Sequence, residues 1–233
     1  KVTNLAGHYI PSGVNFRRMF IELLVNDSEG NILWASGRTN SVGAIIEGLD
    51  GPILPTELVL ENPQAFQPHY QQITAEDQVQ IYQEVVADSD GDITTSFLRR
   101  VFTIKNNRIR PEGFDPAFFF ESSSPFEKEL AEIPGDAKFD PYYTDPDLTG
   151  ADIIEYIVTL DPSMMAAVDN VKATLYLQQR FNDANVGAAE KENIERLYYL
   201  TSHLNTQNVK DNSGEAFIKD WKLMLATDSQ NIQ

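Results

Sequence analysis

The sequence predicts a mainly β protein, an antiparallel β-sandwich with long loops and two α-helices near the C-terminus. Three observations point there. Apolar residues recur at a period of two in several separate runs, as in strands with one buried face. Turn residues separate those runs at hairpin spacing, with no alternation of strand and helix that would indicate a parallel sheet. Only toward the C-terminus does the period lengthen to the helical 3.6.

Residues 1–18 form a turn-rich entry, with Gly7, Pro11, Ser12 and Gly13 around His8 and followed by Arg17-Arg18. Met19, Ile21, Leu23 and Val25 then alternate as a strand, and the turn Asp27-Ser28-Glu29-Gly30-Asn31 leads to a return arm over 32–35. Residues 36–68, punctuated by Gly and Pro, read as a long loop over one end of the sheets. The centre of the chain is 69–111. There Val79, Ile81 and Val85 share one face, opposite Gln78, Gln80, Tyr82 and Glu84. In the following run Leu98, Arg100, Phe102 and Ile104 share a face. Asp90-Gly91 between them is a hairpin signal, because both residues tolerate the positive φ of tight turns. The expectation is a long hairpin joining 78–86 to 95–104.

Residues 111–150 are irregular again, and Phe114, Phe118, Phe119, Phe120 and Phe126 read as aromatics that pin a Pro-rich loop onto the core. Strands are expected over 152–160 and 171–177, joined at Asp161-Pro162. Ile194, Leu197, Tyr198, Thr201 and Leu204 share one face of a helix over 188–204. Phe217, Trp221, Met224 and Leu225 do so over 215–226, and Asn212 with Glu215 resembles a capping box. The division that follows is a β-sandwich over 1–183 and a helical extension over 184–233.

Composition limits the function. The chain has 233 residues, enough for one large domain. Its net charge of −17 repels phosphate backbones, so nucleic acid is not an expected partner. No apolar run approaches the roughly 20 residues of a membrane helix. The absence of cysteine excludes disulfides, thiolate metal sites, a Cys nucleophile and covalent haem attachment. A start at Lys1-Val2-Thr3, without Met, suggests a processed protein or a fragment.

The candidate sites are few. Asp88, Asp90 and Asp92 alternate like the first ligands of a calcium loop, but Gly91 and Arg99 fall where an EF-hand does not place them. What remains is a different oxygen-rich calcium site or a solvated acidic turn. Asp136, Asp140, Asp145, Asp147 and Asp152 make a second acidic stretch that a hard cation would order. His8, His69 and His203 are the imidazoles; His203 reads as structural near a helix C-terminus, while His8 and His69, in loops, are open to interface roles. No G-x-S-x-G elbow, P-loop or dinucleotide fingerprint occurs.

Several phrases in order carry a resemblance. They are Asn4-Leu5-Ala6-Gly7-His8-Tyr9-Ile10-Pro11-Ser12-Gly13, Arg17-Arg18-Met19-Phe20, Trp34-Ala35-Ser36-Gly37-Arg38, His69-Tyr70, Asp77-Gln78-Val79-Gln80-Ile81-Tyr82 and Lys105-Asn106-Asn107-Arg108-Ile109-Arg110-Pro111. This set resembles the haem-free C-terminal β-domain of bacterial multihaem c-type cytochromes, over most of 4–180. The resemblance implies a periplasmic or cell-surface location and a non-enzymatic module that supports or docks a haem-bearing domain or cytochrome. Haem would then be met only through that neighbour, with His8 reaching its iron and Arg17 or Arg18 pairing with its propionates. The alternative is a calcium-stabilised adhesion or carbohydrate-binding sandwich; a hydrolase using an acidic pair ranks third.

Overall fold

A computed structural model describes residues 1–180 and 218–232, together with Glu192, Glu195, Arg196 and Tyr199. Eleven strands follow in order: β1 (Val2–Thr3), β2 (Arg17–Asp27), β3 (Ile32–Ser36), β4 (Gln72–Ile73), β5 (Ile81–Ala87), β6 (Phe102–Asn106), β7 (Ala151–Asp152), β8 (Glu155–Tyr156), β9 (Val168–Gln179), β10 (Ile218–Lys219) and β11 (Lys222–Asn231). Within the described residues 1–180, four short helices join them: α1 (Pro116–Phe120), α2 (Pro125–Ala131), α3 (Pro141–Thr144) and α4 (Pro162–Met165). The mainly β, antiparallel character read from the sequence is what the structure has.

One seven-stranded sheet runs β10-β11-β9-β2-β5-β6, with β3 added to β2. Strand β2 is its axis. It pairs with β9 along its whole length, from Arg17↔Gln179 to Asp27↔Val168. Its other edge is shared, by β5 at Arg18–Phe20 and by β3 at Leu23–Asn26. The alternation of β2 sorts its side chains cleanly. Met19, Ile21, Leu23 and Val25 face two small sheets, β1 with β7 and β4 with β8, through Val2, Ile73, Ile154 and Tyr156. Phe20 faces the other way, against Ile45 and Leu54 of the long loop and against Val79, Ile81 and Tyr176. The sandwich therefore has sheet on one side of its main layer and a folded loop on the other. Contacts of this kind let buried aliphatic side chains stabilise by about 1.5–3 kcal/mol each.

Four elements differ from the sequence reading. The central hairpin exists, but β6 begins at Phe102 rather than at 95. The Asp90-Gly91 turn closes a tight loop only as far as the Ala87↔Ile93 bridge, with Gly91 at φ 86°. Thr94 and Val101 still donate to the Val86 and Ala87 carbonyls, but residues 95–100 leave the ladder, and Leu98, expected to share a strand face with Phe102 and Ile104, is 98% exposed. Strand β5 is also buried on both faces: Val79, Ile81 and Val85 on one, Gln80, Tyr82 and Glu84 on the other. It is a central strand, so its polar residues had to find partners inside.

The strand expected over 152–160 is reduced to the ends β7 and β8, because those residues cap the main sheet instead of pairing with β9. Of the helix expected over 215–226, the described part, 218–226, is a hairpin and the strand that leaves it. Asp220 and Trp221 have φ of 52° and 56°, the left-handed pair of a two-residue turn, and Ile218↔Leu223 and Lys219↔Lys222 flank it. No α-helix accommodates those dihedrals. The turn rests on Gly43, where an added Cβ would lie 2.8 Å from the Asp220 carbonyl oxygen and 3.0 Å from the Trp221 Cβ. Strand β11 then pairs with β9, so 222–231 belongs to the main sheet and not to a helical extension. The helix expected over 188–204, and the Asn212–Glu215 box, lie outside the described residues apart from the four positions named above.

Candidate functional site

Buried polar chemistry gathers where the two small sheets meet β5. His69 sits in the loop before β4, Gln80 just before β5 and Asn107 just after β6. Asp140 caps α3, accepting from the Tyr142 amide at 2.8 Å, and Asp152 lies in β7. His69, Asp140 and Asp152 are all buried, and their nearest ligand atoms lie within 4.8 Å of one another. The sequence placed Asp140 and Asp152 in one acidic stretch and His69 among loop residues; the fold brings these three together.

Hydrogen bonding fixes the state of the imidazole. Gln80 Nε2 and Asn107 Nδ2 approach His69 Nδ1 at 2.9 and 3.3 Å. Neither amide is free to turn over. Gln80 Oε1 accepts from the Tyr70 amide, and Asn107 Oδ1 accepts from the Gln83 amide. Both groups therefore present N–H donors, so Nδ1 is the acceptor and Nε2 carries the proton. Nε2 donates it to Asp140 Oδ2 at 2.9 Å. Tyr143 packs edge-on against the ring at 5.0 Å, and its hydroxyl donates to the Asn107 carbonyl.

The two carboxylates are treated differently by their surroundings. Burial pushes Asp140 up, but hydrogen bonds from His69, the Tyr142 amide and Gln71 outweigh it and hold the carboxyl below its usual value. Burial pushes Asp152 up, and His69 and the hydroxyl of Tyr82 only partly offset it; Asp140 adds repulsion. Asp152 Oδ2 accepts from Tyr82 at 2.8 Å and from Gln80 at 3.1 Å, while Oδ1 is buried without a protein partner. The donor set of one imidazole and two carboxylates is one that metals accept. Here, though, both imidazole nitrogens are committed to protein partners. As arranged, the cluster is a hydrogen-bonded clamp that ties the β4 loop, α3, β5 and β7 together. It offers no exposed nucleophile.

The sequence-derived candidates are placed as follows. His8 is exposed, and its Nδ1 lies 2.8 Å from the Tyr9 carbonyl oxygen. A carbonyl only accepts, so Nδ1 carries the proton and Nε2 holds the lone pair in the neutral ring. Arg108 and Arg110 lie over the neighbouring Tyr9 ring at 5.3 and 6.0 Å. Arg17 donates to the Ser12 carbonyl at 3.3 Å and is half-buried.

Arg18 is a correction. It is buried, forks onto both oxygens of Glu57 at 2.6 and 2.8 Å, and also donates to Gln178. Facing inward from β2, it has no route to a propionate outside. Glu57 is held to about 2: burial pushes it up, and Arg18, Arg180 and the Ile45 amide pull it down further. Asp88 is buried, and its Oδ1 accepts from the amides of Asp90 and Asp92, the device that builds the turn. Asp92 accepts from Gln64. Among the described residues, Asp88, Asp90 and Asp92 are not brought to a common centre as His69, Asp140 and Asp152 are. Of the loop aromatics, Phe114 and Phe119 stack at 4.9 Å, whereas Phe118 and Phe120 are 71% and 52% exposed and do not pin the loop.

No protein-family model matches the chain, and no curated protein matches it. A solved structure, a penta-heme cytochrome c552 from Thermochromatium tepidum, aligns with 99% of this chain and 34% of its own, at 14% identity and a TM-score of 0.38. The chain thus spans about a third of that protein. A superposition this loose fixes neither fold nor function here. Among the described residues, no helix is long and apolar enough to cross a membrane.

Proposed function

We propose that this chain is a non-enzymatic, haem-free β module that docks against a haem-bearing domain in extracytoplasmic electron transfer, at the periplasm or cell surface. The observation that carries the reading is the presentation of His8. Its Nδ1–H is spent on a backbone carbonyl, which orients the ring and leaves Nε2 outward, the arrangement in which a histidine is ready to ligate iron. Tyr9, beneath Arg108 and Arg110, provides an aromatic and cationic surround, and these two guanidiniums next to His8 take the place of Arg18. The ordered phrases that resemble those of multihaem cytochrome β-domains support the same reading.

The test uses a haem c peptide with one open axial position, titrated into the full chain. Ligation by His8 converts its absorption spectrum to the low-spin form, and His8→Ala abolishes the conversion. Equal titration curves for parent and variant would refute the assignment.

A further inference from the structure

A cavity of about 40 Å³ lies where the entry loop, the turn at Pro55–Glu57, β5 and the end of β9 converge. Asn15, Arg18, Thr56, Glu57, Gln83 and Arg180 contribute to its walls. Three polar atoms of these residues are buried and have no partner in the protein: Asn15 Oδ1, Thr56 Oγ1 and Arg180 Nε. That three residues lining one cavity each carry such an atom is the informative point, because buried polar groups are otherwise paired.

Their chemistry defines the occupant. Asn15 Oδ1 only accepts, Arg180 Nε–H only donates, and the Thr56 hydroxyl does both. Arg18 and Arg180 pair with Glu57, and Glu84, also in the wall, pairs with Arg100. An anion would meet the Asn15 oxygen and two carboxylates, and a cation would meet two guanidiniums. An apolar molecule would leave all three atoms unsatisfied. What fits is a neutral molecule that donates and accepts at once and is small enough for the space, which at about 10–15 Å³ per water is room for roughly three waters. Asn15 Nδ2 is already used on the Thr94 carbonyl at 3.2 Å, which leaves its oxygen as the atom in need of a donor. The remaining Arg180 nitrogens are used on Glu57.

We propose that this cavity is an internal hydration site, whose water joins the entry loop at Asn15, the turn at Thr56 and the end of β9 at Arg180. The water completes the polar shell around the buried Arg18–Glu57 pair and belongs to the folded structure.

A high-resolution crystal structure of the full chain, with water-to-amide nuclear Overhauser measurements in solution, tests this. The expected result is an ordered water within hydrogen-bond distance of at least two of the three atoms. Thr56→Val, of matching shape, should lose that water, and Thr56→Ser should retain it; Thr56→Ser also serves if the valine variant fails to fold. The proposal is overturned by a dry cavity, by direct bonds among the three side chains, by a larger additive filling the space, or by a Thr56→Ser variant that lacks the water.

Discussion

Replacing Glu57 with Gln tests the polar core on the Phe20 face of β2. The Glu57 carboxyl is drawn down from 4.5 to about 2. Folding therefore weakens its hold on a proton, so the ionised form stabilises the fold. At 1.36 kcal/mol per pH unit the contribution is about 3 kcal/mol. It is fully present above about pH 4.5 and is lost as the pH falls toward 2. In Glu57→Gln the guanidiniums of Arg18 and Arg180 face a neutral amide, and breaking a buried pair in this way costs about 3–5 kcal/mol. Urea unfolding at pH 7 should show that loss. Repeated down to pH 2, the parent should approach the variant, and the gap should shrink by about 3 kcal/mol. Other acid-sensitive groups, Asp140 among them, titrate in both proteins and cancel. A gap that stays constant from pH 7 to pH 2 would refute the reasoning.

Four further outcomes are expected. Lys105 is buried and donates to the Gln67 and Ile81 carbonyls, and burial lowers its amine to about 7, so its 15N signal should titrate there while exposed lysines titrate near 10.5; stability should rise with pH across that window, where only the unfolded chain holds the proton. Asp152, raised by burial, favours folding below its unfolded value and loses that contribution as the pH climbs through the folded one, so Asp152→Asn should gain on the parent in thermal melts as the pH rises above the ordinary carboxylate range. Gly37→Ala would set a methyl 2.2 Å from the Ile21 carbonyl oxygen at φ 79°, and soluble yield and Tm should both fall. Phe20→Ala, at a fully buried position in β2, should cost about 3–5 kcal/mol in denaturant unfolding.

What the sequence made legible was local. Met19, Ile21, Leu23 and Val25 keep strict alternation, and the Asp27 side chain caps the turn to Asn31, so β2 and β3 fall where the pattern places them. Strand β9 was legible for the same reason. The second arm of the central hairpin starts later than the pattern places it because 95–100 keeps the alternation without keeping the pairing. Over 218–226 the helical reading fails because Trp221, Met224 and Leu225 keep the helical spacing begun at Phe217, and nothing in Asp220-Trp221 announces two left-handed residues. The buried cluster was beyond local pattern altogether: His69 meets Asp140 across 71 positions, and Gln80 meets Asp152 across 72. One signal was available. Gln80, Tyr82 and Glu84 lie on a strand whose opposite face is apolar, and a core strand with such a second face implies an internal polar network.

The pairing of β2 with β9 also bears on how the molecule is made. Contacts across that ladder join residues as far apart as Arg18 and Gln178, 160 positions along the chain. During synthesis β2 finds β3 and β5 early, but its other edge stays open until β9 emerges. Loop closure over such a distance slows folding, and an open edge invites pairing with a neighbouring nascent chain. The same ladder that organises the finished sheet thus sets the interval in which the chain most needs a chaperone, and β9, with β11 behind it, is the piece that ends it.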